Sequence, residues 1–118
     1  MIRLHVAEIA IAFVFIAGGL STLRNPQARV EEIARLRFPL PELAIRITAA
    51  LMIGAGLALA LNIQAALASV VLATLLVPTT VFGHAFWLEQ GQRRQLQMAH
   101  FFKNLAILGG LLLVTLIR

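Results

Sequence analysis

Four long apolar runs, separated by polar connections, constrain this chain more than any other feature of its sequence. Each run is close to the ~20 residues that an α-helix needs to cross ~30 Å of hydrocarbon. Backbone groups inside a bilayer have no water to bond, so such runs fold as helices. The sequence therefore predicts an all-α integral membrane four-helix bundle, formed by a single domain with spans at about residues 4–23, 43–61, 65–82 and 100–117.

Composition supports the membrane interpretation. The chain is 60% hydrophobic and 13% charged, whereas soluble domains are roughly 45–50% apolar and about 25% charged. Ten Lys+Arg outnumber five Asp+Glu, but most of these charges lie in the connections, which indicates topology and contact with membrane lipids rather than nucleic acid. The absence of cysteine excludes a disulfide framework, thiol redox chemistry and a Cys-ligated metal within this chain.

The connections carry local structure of their own. Residues 27–37 place apolar side chains at helical spacing among charged ones, which predicts a short amphipathic helix along the membrane surface. Residues 62–64 predict a short hairpin turn, and Pro78 predicts a kink or an early end of the third span. Cations concentrate in the connections at 24–42 and 88–99, so the positive-inside rule predicts that both are cytoplasmic and both termini outside.

Small residues recur every fourth position on the second and third spans, which lets a neighbouring helix approach closely. This pattern is compatible with packing inside the bundle and with contact between copies of the chain. The two stripes are Ala50, Gly54 and Ala58, and Ala65, Ser69 and Ala73.

Most of the unusual chemistry lies where the third and fourth spans approach their connection. His100, Lys103 and Asn104 share one face of a helix, and His84 can meet that face across the connection. Such a cluster can bind an anionic or carbonyl-bearing headgroup, such as a quinone ring or a lipid phosphate. The alternative is structural: Trp87 and its phenylalanine neighbours form an interfacial belt, and Lys103 reaches toward lipid headgroups.

Glu8 lies inside the first span, with His5 one turn earlier and Arg118 at a similar predicted depth. A polar tie that fixes helix packing is one interpretation, and a proton relay is the other. No metal site is predicted, because His84, His100 and Glu89 lack the tight spacing of helical metal ligands. The chain shows no nucleophile–base motif, phosphate loop or paired carboxylates, so its residues alone do not indicate an enzyme.

Two segments resemble the DoxX family of small bacterial membrane proteins, in its actinobacterial-type branch. Residues 76–113 read LVPTTVFGHAFWLEQGQRRQLQMAHFFKNLAILGGLLL and resemble the C-terminal half of that family, while GGLSTLRNP resembles the end of its first span. The resemblance implies a four-helix bundle of the bacterial plasma membrane. The family takes its name from a subunit associated with quinol oxidation, its relatives are linked to thiosulfate:quinone oxidoreduction, and many members are described only as oxidoreductases.

Within this resemblance, five residues match family-typical positions: His84, Trp87, His100, Lys103 and Asn104. Two positions depart from the family pattern. Thr22 stands where many members have Lys, and Met52 stands where many have an acidic residue. Both changes remove an ionisable group, so they argue against proton-coupled redox chemistry in this chain.

The resemblance and the polar cluster together imply an accessory or membrane-anchor subunit of a respiratory or redox-stress assembly, with a quinone or lipid headgroup at the bundle end. No cofactor motif is encoded, and a quinone is the one non-protein group implied. Expected partners are membrane lipids, other membrane or redox subunits, and further copies of the chain. The alternatives are a quinone-dependent oxidoreductase in its own right and a small carrier or lipid-handling protein, whose cavity Thr74, Thr79 and Thr80 would line.

Overall fold

The computed structural model describes residues 2–118, and helices are the only regular elements within them. A short 3-10 turn at Phe86–Leu88 precedes the last helix. The α-helices are α1 (Ile2–Arg24), α2 (Gln27–Arg35), α3 (Pro41–Ala60), α4 (Ala65–Gly83) and α5 (Gly91–Ile117).

Helices α1, α3, α4 and α5 are long and apolar enough to cross a membrane. Large apolar side chains also cover their outer surfaces: Phe13 is 70% exposed and Leu116 is 82% exposed. A bundle that is apolar outside as well as inside is suited to lipid rather than to water. The predicted all-α four-helix membrane bundle is therefore confirmed.

Helix α2 is the short amphipathic helix that the sequence predicts. None of its residues is fully buried, and it packs against α3 and α4 at one end of the bundle. It ends where Arg37 adopts a left-handed conformation, with φ of 59°. The Phe38 and Arg37 amides then donate to the Ile33 and Ala34 carbonyls, a pattern that satisfies the last groups of a helix.

The small residues of α1 and α3 bring these two helices into close contact. A Cβ atom added at Gly19 would lie 2.8 Å from the Ala49 carbonyl oxygen, so no side chain fits there. The predicted second-span stripe faces the other way, because Ala50 and Gly54 are exposed and a Cβ at Gly54 would meet nothing within 4 Å. On α4, by contrast, Ser69 is fully buried. Of the two stripes, the third-span one packs inside the bundle.

One helix boundary differs from the sequence-based prediction. Helix α5 begins at Gly91, ahead of the span predicted from about residue 100, whereas α4 ends at Gly83, close to the predicted end at residue 82, and does not stop early at Pro78. After Gly91, the polar segment 91–98 consists of Gln, Arg, Leu and Met, which favour helix whatever their polarity. Hydropathy located the N-terminal limit of the apolar run, whereas the helix begins about two turns before it.

Candidate functional site

A cavity of about 280 Å³ lies at the bundle end where α2 packs, and all five α-helices contribute to its wall. We call it the end cavity. Its deeper wall is apolar and includes Phe15, Met52 and Leu76. Its polar lining consists of Thr22, Arg29, Glu32, Thr48, Thr79, His84, Lys103 and Asn104. An amphiphile with a polar head and an apolar stem matches this division of the wall.

His84 follows the last residue of α4, where the chain leaves the helix. Its Nδ1 lies 2.8 Å from Gln97 Oε1, while Gln97 Nε2 donates to the Gly83 carbonyl at 3.2 Å and to Glu32 Oε1 at 3.5 Å. Because the Gln97 amide nitrogen is the donor in both of these bonds, its oxygen accepts from His84 Nδ1. Neutral His84 therefore keeps a lone pair on Nε2 for another partner.

The predicted residues of the fourth span lie beside His84 but have different surroundings. His100 stacks on His84 with ring centroids 5.1 Å apart, and it is not part of the cavity wall. Lys103 and Asn104 do line the cavity. Asn104 Nδ2 also donates to Thr80 Oγ1 at 3.0 Å, in a buried bond that ties α5 to α4.

Trp87 lies outside the end cavity. Its indole packs edge-on against Phe86 and Phe101, with centroids 5.3 and 5.9 Å away, and the residue is half-exposed. The Arg94 guanidinium carbon lies 5.7 Å from the centre of the Phe86 ring. This aromatic cluster resembles the interfacial belts of membrane proteins, so the geometry favours the structural interpretation of Trp87.

Sequence reasoning missed the contribution of α2 and of Gln97 to the site. Arg29 and Glu32, one helical turn apart, both line the cavity. Glu32 Oε1 accepts from Gln97 and lies 3.9 Å from Arg93 Nη2. Glu32 Oε2 is buried and has no hydrogen-bond partner within residues 2–118. No sequence signal singled out Arg29 or Glu32, because charged residues are ordinary on an amphipathic helix.

The structure also shows which of the threonines line the end cavity, and where Thr22 and Met52 lie. Thr22 and Met52 both line the end cavity, and neither contributes an ionisable group to it. Thr79 lines the cavity as well. Thr74 does not, and its hydroxyl donates to the Val70 carbonyl instead.

At the far end of the bundle, Glu8 and Arg118 form an ion pair. Arg118 Nε donates to Glu8 Oε2 at 3.2 Å, and Arg118 Nη2 contacts Glu8 Oε1. Glu8 is fully buried, whereas the Arg118 side chain is 18% exposed. The hydrogen bond to Glu8 raises the pKa of Arg118 above its ordinary value. His5 takes no part in this contact.

The histidine pair lacks a third ligand. Glu89, the candidate on the connection, pairs with Arg93 at 3.1 Å between Oε1 and Nε. Across residues 2–118, no three His, Cys, Asp or Glu side chains are grouped to hold a metal ion. What the end cavity offers is an ammonium, a guanidinium, an imidazole lone pair and a free carboxylate oxygen, which are groups that bind a polar headgroup.

The family model for DoxX matches residues 4–85, which is more than half of the chain. The chain belongs to the DoxX family. It is 28% identical over 115 residues to the inner membrane protein YphA of Escherichia coli (strain K12), and the alignment covers 98% of this chain and 82% of that protein. No solved structure matches the chain. An inner-membrane relative and four apolar helices together show a multi-pass membrane protein.

The DoxX match includes the cavity residues of α1 to α4, with His84 among them, but ends before Lys103 and Asn104. The alignment with YphA spans nearly the whole chain. The DoxX resemblance noted in residues 76–113 therefore extends past the part of the chain that the family model covers.

Proposed function

We propose that this DoxX protein is an accessory or membrane-anchor subunit of a respiratory or redox-stress assembly, and that it binds a quinone or lipid headgroup in the end cavity. The observation that carries the proposal is the division of the cavity wall. His84, Lys103 and Asn104 lie together on one part of it, and the remainder is largely apolar. A headgroup with carbonyl or phosphate oxygens accepts hydrogen bonds from the Lys103 ammonium and the Asn104 amide.

The accessory role is favoured over catalysis by the chain's own side chains. Thr22 and Met52 supply no ionisable group to the wall of the cavity, and the sequence contains no cysteine. Electrons passing to or from a bound quinone would therefore enter from a partner subunit that carries the redox group. The chain's own residues would hold the headgroup and keep it oriented at one membrane face.

A ligand-protection experiment tests the headgroup site. A soluble decyl-chain quinone should raise the thermal unfolding midpoint of the detergent-solubilised protein. Lys103→Ala and Asn104→Ala should each weaken its binding roughly tenfold, the loss expected for about 1.4 kcal/mol of hydrogen bonding. His5→Ala is the control, since that residue lies at the opposite end of the bundle. Mass spectrometry of the gently purified protein should also find a quinone or lipid that Lys103→Ala loses.

Equal protection of the wild type and of both cavity variants would contradict the headgroup site. A stable protein partner that co-purifies without any small molecule would instead support an anchor in which the histidines serve packing alone.

We also infer that the α2 end of the bundle faces the cytoplasm. Cations of the 24–42 and 88–99 segments gather at that end, and the opposite turn at residues 62–64 is uncharged. Because the native chain has no cysteine, single cysteines report sidedness directly. In intact spheroplasts, a membrane-impermeant maleimide should label exposed Asn62→Cys and should label exposed Gln92→Cys only after permeabilisation. The reverse pattern would invert the assigned orientation.

A further inference from the structure

The end cavity contains a small gap beside Gly83, which we call the Gly83 notch. A Cβ atom at Gly83 would lie 3.4 Å from Arg29 Nη1 and 3.9 Å from Glu32 Oε2. Both charged groups therefore border the space that the missing side chain leaves free. Arg29 and Glu32 nevertheless form no ion pair with each other; the cation nearest to Glu32 is Arg93, on its other oxygen.

Glu32 has one satisfied oxygen and one that lacks a partner. Oε1 accepts from Gln97 and faces Arg93, whereas Oε2 is buried without a hydrogen bond within residues 2–118. A buried carboxylate oxygen without a donor is costly, so native structures almost always supply one. The donor that Oε2 lacks would have to come from a molecule in the cavity.

The notch places different demands on its occupant from those of Lys103 and Asn104. A group between Arg29 and Glu32 must accept a hydrogen bond from the guanidinium and donate one to the carboxylate. A hydroxyl does both, whereas a quinone carbonyl or a phosphate oxygen only accepts. The free Nε2 lone pair of His84, which also lines the cavity, is a second acceptor for a hydroxyl donor.

We propose that Glu32 and Arg29 bind a hydroxyl group of the headgroup in the Gly83 notch, so that the end cavity selects hydroxylated amphiphiles over those that only accept hydrogen bonds. The inference rests on the proposed headgroup site and specifies its ligand class. Two sources present this chemistry at a membrane: the reduced, quinol form of a quinone, and a lipid whose headgroup is a polyol.

Paired probes that differ in their hydroxyl groups test the inference. One pair is decylhydroquinone and its dimethyl ether. A reductant keeps the hydroquinone from oxidising, and it leaves the protein unchanged because the chain has no disulfide. The other pair is phosphatidylglycerol and phosphatidylmethanol with identical acyl chains, which carry the same charge. In detergent, the wild type should bind at least one hydroxylated probe about tenfold more tightly than its partner, as expected for one hydrogen bond to a charged group.

Glu32→Gln should abolish this preference while still binding the ether or phosphatidylmethanol. Glu31→Gln is the matched control, because Glu31 is the exposed neighbour on the same helix and should keep the preference. Gly83→Ala provides a second route, since its methyl group fills the notch at ordinary contact distances and leaves every charge in place. It too should lose the preference for the hydroxyl.

The outcomes separate this inference from the proposed function. A preference confined to the quinone pair identifies a quinol, and one confined to the lipid pair identifies a polyol lipid. Equal binding of both members of each pair overturns the inference, with water as the occupant of the notch, and leaves the headgroup site standing. A preference that survives in Glu32→Gln overturns the assignment of Glu32. Failure of all four probes to bind overturns the headgroup site and this inference together.

Discussion

Arg118→Ala should destabilise the bundle more than any other single change of a charged residue. The reason is Glu8, which is fully buried in α1 and forms an ion pair with the Arg118 guanidinium. Removing Arg118 leaves the buried Glu8 carboxylate without its partner, which is strongly destabilising. Unfolding of the detergent-solubilised protein in a denaturant series should show this as a clear drop in the midpoint.

The matched control is Arg3→Ala, which removes an exposed arginine of the same end and should have little effect. A double variant, Glu8→Met with Arg118→Met, should recover most of the lost stability, because an apolar pair of similar volume leaves no buried charge. If the stability losses of Glu8→Met and Arg118→Met simply add up in the double variant, the pair does not hold the helices together. Equal unfolding midpoints for Arg118→Ala and Arg3→Ala would show the same.

Leu111→Ala should be the most damaging change of an apolar residue on α5. Leu111 is 0% exposed and belongs to the central cluster with Leu59 and Leu72. Truncation of a fully buried leucine leaves a cavity among these side chains and costs about 3 kcal/mol. Thermal or denaturant unfolding in detergent measures the loss.

Leu112→Ala is the matched control, since Leu112 follows directly in the chain and is 51% exposed on the outer surface. In a membrane that side chain faces lipid, so its truncation should change the stability by only a few tenths of a kcal/mol. Equal losses for Leu111→Ala and Leu112→Ala would mean that α5 is rotated relative to the arrangement described above.

The elements of this fold could be predicted from the sequence, but not all of their ends. Apolar runs and the amphipathic spacing at residues 27–37 predicted the spans and the surface helix, since both depend on local composition. The start of α5 was placed too late, because helix-forming residues continue the helix through the polar segment 91–98. Passage of α4 through Pro78 likewise depends on packing that a local rule does not contain.

The candidate site could be predicted only in part. His84, Lys103 and Asn104 stand out because polar groups are rare in apolar helices, and the structure brings all three to one cavity. Trp87 stands out equally in the sequence, yet it packs in the aromatic cluster outside. Glu32 has no distinguishing pattern, since charged residues are ordinary on an amphipathic helix. Its place beside His84 follows from the docking of α2, which brings together residues far apart in the chain.

The sequence by itself determined the number of spans, the surface position of α2 and the residues available for chemistry. Only the tertiary structure decided that α1 packs on α3 and α4 on α5, and that Glu8 meets a partner 110 residues away. The physical reason is the uniform hydrophobicity of these helices. Their lipid-facing and core-facing sides have the same kind of side chain, so hydropathy does not distinguish them. Close approach at small residues and a few buried polar contacts make that choice instead.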